Sequence, residues 1–190
     1  GARMTDEMLI TKPRTSHSWY GVYFDVLAKD TPVTITAIQS GCSSDLPDRN
    51  MQVKVWTCDK GSFEGNEEDP SSWTLLGDKN MELDEIPYDR YSFDSTDLRY
   101  CDLPFGSPIF VGAGERKGFL VHTNQIGGLV LRGGFGPEAR INGWRVGAKT
   151  DETLHVSLCA GKVCSEVPFK LESAAYARGF VGSVRYTINQ

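Results

Sequence analysis

The most constraining feature of this chain is an alternation of apolar and polar residues at every second position, repeated in short runs between Tyr20 and Ile188. In Tyr20-Gly21-Val22-Tyr23-Phe24-Asp25-Val26, Val22, Phe24 and Val26 fall on one side and Tyr23 and Asp25 on the other. Successive side chains of a strand point to opposite faces of a sheet, so this run predicts a strand with one buried face. After a turn at Asp30-Thr31-Pro32, Val33, Ile35 and Ala37 alternate with Thr34 and Thr36, which predicts a second strand rich in β-branched residues. Met51, Val53 and Val55 predict a third, with Trp56 on the opposite side. Further strands are expected at Trp73–Leu76, at Ile109–Val111, around Phe119 and Val121, and at Leu129–Leu131. Leu154, Val156 and Leu158 alternate around His155 and Ser157. The clearest run is the last, with Phe180, Gly182, Val184, Tyr186 and Ile188 on one face and Ser183, Arg185 and Thr187 on the other.

Roughly nine to eleven short strands with turn residues between them predict an all-β fold, an antiparallel, jelly-roll-like β-sandwich with little helix. The twenty glycines and nine prolines, spread along the chain, supply the turns. A chain of 190 residues suits one such domain and needs no metal or disulfide to fold. Only residues 171–178 could form a helical turn or two. Gly1-Ala2-Arg3 ahead of Met4 reads like a cloning remnant, and residues 5–18 are polar and aperiodic. Residues 1–19 are therefore expected to be a remnant and a lead-in, and residues 20–190 the domain. Two stretches interrupt the pattern. Residues 78–105 interleave Asp84, Glu85, Asp89, Asp94 and Asp97 with Tyr88, Tyr91, Phe93 and Tyr100, and residues 133–143 are glycine-rich. Long aperiodic stretches of this kind often carry function.

The net charge of −5 and the lack of a basic stripe exclude nucleic acid as an expected partner. No stretch is long and apolar enough to span a bilayer as a helix. No charged segment followed by an apolar core opens the chain, so no signal peptide is expected. Five cysteines, an odd number, and no Asn-x-Ser/Thr sequon favour the cell interior.

Five segments taken together resemble a known family. They are Gly21–Val26, then Val53–Thr57 running into Gly61-Ser62-Phe63-Glu64-Gly65, then Ser72–Leu75, Val111–Phe119, and the closing Arg178–Tyr186. Their order and spacing are similar to a β-sandwich domain common in uncharacterised proteins of diatoms and other algae and protists. That domain has a strand ending in Phe-Asp-Val, a Gly-Ser-Tyr/Phe-x-Gly turn before a Trp-Thr strand, and a terminal Gly-x-Ile/Val-x-Tyr strand. The likeness covers about residues 20–188. It implies the fold and brings no catalytic residues with it. Residues 78–105 and 133–143 depart from the common pattern.

No catalytic motif is present. His17, His122 and His155 sit in no nucleophile or metal pattern, and Gly112–Gly118 has the spacing of a hairpin turn. Cys159 and Cys164 read as two strand ends facing across a short turn, within disulfide reach; free thiols are the leading expectation, a disulfide the next, and a metal site joined by Cys58 or Cys101 the last. Glu64, Glu67 and Asp69 are dense enough to be calcium ligands, although a solvated acidic loop is the commoner explanation of such a run. Trp56, Trp73, Tyr88 and Tyr91 are candidate binding residues, as anchors for a protein or as flat platforms for sugar rings. The expected function is a non-catalytic protein-interaction or assembly module, alone or as one domain of a larger protein. The alternative is a carbohydrate-binding module, with calcium as its one candidate cofactor.

Overall fold

The computed structural model describes residues 3–11, 15, 17–86, 100–133, 145–172 and 177–189. Sixteen strands run through them. In the first half these are β1 (Met4–Ile10), β2 (His17–Trp19), β3 (Gly21–Ala28), β4 (Val33–Ser40), β5 (Cys42–Ser43), β6 (Asn50–Cys58), β7 (Trp73–Glu82) and β8 (Glu85–Ile86). The second half adds β9 (Cys101–Asp102), β10 (Ile109–Val111), β11 (Arg116–Thr123), β12 (Leu129–Arg132), β13 (Lys149–Glu152), β14 (Val156–Cys164), β15 (Gly179–Phe180) and β16 (Ser183–Asn189). Among the described residues the helical content is one 3-10 turn at Pro70–Ser72. Sixteen is more than the nine to eleven the alternation predicts, and the strands it does not anticipate include β1, β13 and the two-residue β5, β8 and β9.

Two antiparallel sheets form an all-β sandwich. The larger runs β13-β14-β3-β11-β6-β7, and the smaller runs β1-β16-β4-β10 with β9 also paired to β4. Inward residues of both fill one core: Val22, Phe24, Val26, Val53, Val55, Phe119, Val121 and Leu158 from the larger sheet, and Val33, Ile35, Ile38, Leu9, Val184 and Ile188 from the smaller. Phe24 stacks on Phe180 at 4.4 Å between ring centroids, which ties strand β3 to the closing segment. A short sheet of β15, β12 and β2 closes one end.

Three expectations change. Residues 4–10 are a full strand and no frayed lead-in, since β1 pairs with β16 at every position from Met4–Asn189 to Ile10–Ser183 and buries Leu9 in the core. The domain therefore begins before residue 20. Residues 78–82 complete β7, so the departure from the sheet starts later than expected. Leu154 is 82% exposed, because the strand begins at Val156 and the alternation runs on past its end.

Cys159 and Cys164 do not face each other across a turn. Both lie on β14, opposite Asp25 and Gly21 of β3, and all five cysteines are free. Five residues of one extended strand hold their side chains far beyond disulfide reach. Between them an extra residue makes a β-bulge, where the register shifts between Cys159 and Lys162. Gly161 sits in it, and a Cβ there would lie 1.5 Å from the carbonyl oxygen of Tyr23. Only glycine allows that approach.

Candidate functional site

The outer face of the larger sheet carries most of the residues singled out from sequence. On this face Tyr23, Cys58, Phe63, Trp73, Leu120 and Cys164 are buried in a second apolar cluster, with Trp56, Val146, Phe169 and Leu171 packed against it. Trp56 does point away from Val53 and Val55, as expected, but it meets the edge of Phe169 at 5.0 Å. Phe169 also lies 5.9 Å from Trp73. Phe169 has φ of 63°, a left-handed conformation that bulky residues rarely adopt, and the two indoles on either side hold it there. Trp73 is 7% exposed and its indole N–H donates to the carbonyl of Asn66 at 2.9 Å. Neither tryptophan is an open platform; Trp73 belongs to the second core and Trp56 is half-buried against it. Tyr88 and Tyr91 lie outside the described residues.

The acidic loop after β6 is held by its own charges. The Asp25 carboxylate, 1% exposed, accepts hydrogen bonds from the Ser62 hydroxyl at 2.5 Å and the Phe63 N–H at 3.0 Å. Arg116 Nη1 stands 4.0 Å away. Burial pushes the Asp25 pKa upward, against the pull of those donors and of Arg116. Glu67 is buried, pairs with Lys162 at 2.8 Å, and offers its carbonyl to the Tyr23 hydroxyl at 2.9 Å. Asp69 caps the 3-10 turn, accepting from Ser71 and Ser72. These bonds hold its carboxyl below the usual range. Glu64 is exposed. The three calcium candidates thus do different things, and among the described residues no three His, Cys, Asp or Glu side chains converge as a metal cage.

A polar cleft of about 570 Å³ opens beside this loop, between the Asp59–Ser62 turn and the Gly114–Lys117 segment. Its charges hold the two turns. Asp59 accepts from the Thr74 hydroxyl at 2.7 Å, Glu115 from the Gly112 N–H at 3.1 Å, and Arg116 donates to the Gly147 carbonyl at 3.3 Å. The thiols offer little chemistry either. Burial raises the pKa of all five, that of Cys42 to about 11, so the nucleophilic thiolate is disfavoured at neutral pH. His122 Nε2 is bonded to the Ser165 carbonyl at 3.0 Å, and burial lowers its pKa. His155 stands 3.7 Å from Glu7.

The outer face of the smaller sheet is built differently. Directly opposed residues of neighbouring strands share a face. One row across the sheet therefore reads Asp6, Thr187, Thr34, Phe110. A second reads Met8, Arg185, Ala37, and a third Ile10, Ser183, Gln39, Asp102. Phe110 is 64% exposed, Met4 60% and Ile10 59%. They are three of the seven large apolar side chains that are exposed among the described residues. They border a centre of threonines and Ala37. Sequence reasoning reached these threonines only as the polar side of their strands, and it passed over Phe110 as one residue of an apolar run. The signal was there in Thr34 facing Thr187, but only the register brings those strands together.

Fold and faces together define the chain as an all-β, antiparallel sandwich domain whose larger sheet is partly covered on its outer face by its own loops, with Leu75 beside Trp56 still 48% exposed. Compared with protein-family models and with curated proteins, the chain matches none. Among the described residues no helix is long and apolar enough to cross a membrane.

Proposed function

We propose that this domain is a non-catalytic protein-interaction or assembly module that engages its partner through the open face of the smaller sheet. The observation that carries the reading is the contrast in cover. The larger sheet is covered around Tyr23 and Trp73 by Phe169 and the acidic loop and leaves one large apolar residue, Leu75, exposed, while the smaller sheet leaves Phe110, Met4 and Ile10 exposed around threonines. Apolar side chains gathered on one face, with polar groups that fix register, are what a protein partner buries. The residues that would mark an enzyme support this reading too. Asp25, Ser62 and Arg116 are joined to one another as the anchor of a turn.

The resemblance to the algal and protist sandwich domain fits the same reading. Asp25 of Phe24-Asp25-Val26 anchors the Gly61-Ser62-Phe63 turn, whose Phe63 joins Trp73 in the second core, while Phe24 and Val26 fill the core between the sheets. Those shared segments build the scaffold, and the open face is left for whatever distinguishes a member. The experiment is a binding comparison by surface plasmon resonance on a partner captured by the wild-type domain. Thr34→Arg, at the centre of the open face, is expected to lose that partner. Lys54→Ala, beside Trp56, serves as the folded control and is expected to retain binding. Retention by Thr34→Arg overturns the reading. A glycan array run with and without EDTA separates the carbohydrate alternative, which predicts glycan binding lost on chelation.

A further inference from the structure

We infer that the polar cleft beside the acidic loop receives an acidic peptide segment of the partner protein, with its carboxylates between Lys60 and Lys117 and its apolar residues against Phe110. The cleft holds about 570 Å³ and lies where three pieces of the chain meet: the Asp59–Ser62 turn, the end of β10 at Phe110 and Val111, and the Gly114–Lys117 segment that opens β11. Strands β10 and β11 belong to different sheets, so the cleft stands at the joint between the two layers. Gly114, with φ of 75°, leaves bare backbone on one wall, and no atom stands within 4 Å of the place a Cβ would take. A second backbone can come close there.

The charges of the cleft favour an anion. Lys60, Arg116 and Lys117 line it against Asp59 and Glu115. Both acids are drawn to their own turns, Asp59 by the Thr74 hydroxyl and Glu115 by the Gly112 N–H. Arg116 is drawn to the Gly147 carbonyl and towards buried Asp25. Lys60 meets Asp69 at 3.7 Å in a solvent-exposed pair, a contact of little strength. Among the described residues Lys117 has no ion-pair or hydrogen-bond partner. Its position is unusual for a lysine. It lies opposite Val26, whose side chain is in the core, and two residues before Phe119, so it falls on the inward side of β11. A lysine fits such a place when its stem covers apolar surface and its ammonium reaches water. Here the ammonium reaches the cleft, and the facing strand, Ile109-Phe110-Val111, offers it no acid.

Phe110 indicates what carries the carboxylates. It is exposed, it lines the cleft, and it pairs with Thr34 in the row that crosses the open face. A small free anion makes no use of that ring, whereas a peptide lying on the open face passes Phe110 before it reaches the lysines. This inference rests on the proposed function, and adds a chemistry for the partner and a second point of contact.

Fluorescence polarisation of the whole chain tests it, with a labelled, amidated peptide Leu-Glu-Glu-Phe-Glu-Glu-Leu and its counterpart in which glutamine replaces each glutamate. The acidic peptide is expected to bind with Kd of about 0.1 mM, and the glutamine peptide roughly tenfold more weakly. Lys60→Gln/Lys117→Gln is expected to weaken the acidic peptide roughly fivefold and to leave the glutamine peptide unchanged, with thermal unfolding as the check on its fold. Lys60→Gln alone, at an exposed position, is expected to weaken it roughly twofold and keeps the test decisive where the double variant does not fold. An acidic peptide that fails to bind up to about 1 mM overturns the inference. So do equal affinities for the two peptides, or lysine variants that bind as the wild type does. Inorganic phosphate bound in place of any peptide would assign the cleft to a small anion and overturn it as well. Absent peptide binding together with loss of the captured partner by Thr34→Arg sinks this inference and leaves the proposed function standing. Partner retention by Thr34→Arg sinks the proposed function whatever the peptides do.

Discussion

The two outer faces of the sandwich start from the same period-two pattern and end in opposite states. On the larger sheet the outward residues include the large, mostly apolar Tyr23, Trp56 and Leu120 beside the polar Asp25, Lys54 and His122. Left wet, each of the first three would forgo roughly 1.5–3 kcal/mol of burial. The chain covers them with the acidic loop and the segment around Phe169. On the smaller sheet the outward residues are Thr34, Ala37, Thr187 and Arg185, which tolerate water, and the apolar ones stand at the margins. The difference shows that outward-facing aromatics on a strand are a poor guide to a binding site. They are more often a demand for cover, and the face with modest residues is the one left free to meet something else.

That contrast can be broken by substitution. The largest effect is expected at Trp73→Ala, which empties the second core and should cost about 3–5 kcal/mol in urea unfolding. A loss close to zero would mean that this cover is loose and the larger sheet also has an accessible face. Gly161→Ala comes next. Its methyl has no room beside Tyr23, and the backbone must move, at about 1–3 kcal/mol, read as a lowered Tm.

Asp25→Ala follows at a comparable or smaller size, about 1–3 kcal/mol, because the buried Phe63 N–H loses its acceptor. Asp25 also gives the comparison a pH axis. Its folded pKa lies above the ordinary 3.8, with burial as the leading cause. The folded protein then holds the proton more tightly than the unfolded chain does. Its contribution is full below pH 3.8 and is lost as pH rises through the folded value. The stability of the wild type relative to Asp25→Asn, which does not titrate, should therefore fall as pH rises from about 4. A wild type that gains on Asp25→Asn over that interval contradicts the assignment. The smallest effect belongs to the open face: Phe110→Asp should change stability by less than about 0.5 kcal/mol by the same urea assay.

The longer strands β3, β4, β6, β11 and β16 were legible because one face of each is buried, and burial writes itself as alternation, whereas β13, Lys-Thr-Asp-Glu, has no apolar residue to alternate. Strand β1 was not legible, since it gives the core chiefly Leu9 and puts Met4, Met8 and Ile10 on the outward side with Thr5 and Glu7 inward, the reverse of the usual alternation. The pattern also misled in its own terms at Leu154, where alternation outlasts the strand. The bulge at Gly161 depends on the close passage of β3 and leaves no mark in local spacing, so Cys159 and Cys164 read as a hairpin when they share one strand. The candidate residues fared unevenly for a related reason. That Trp56 points outward can be read from period two, but that Phe169 covers it cannot, because the two come from opposite halves of the chain. The acids of the loop look like ligands in sequence. Lys162, Ser71 and Ser72 take up Glu67 and Asp69 only once the chain is folded.

The most direct test of the account is partner binding measured on two folded variants, one for each face. Thr34→Arg places a long cation at the centre of the smaller sheet, and Lys54→Ala trims the larger sheet beside Trp56. The account predicts that Thr34→Arg abolishes binding of the protein captured by the wild type, with unchanged thermal unfolding, and that Lys54→Ala binds as the wild type does. Binding lost with Lys54→Ala and kept with Thr34→Arg would contradict it.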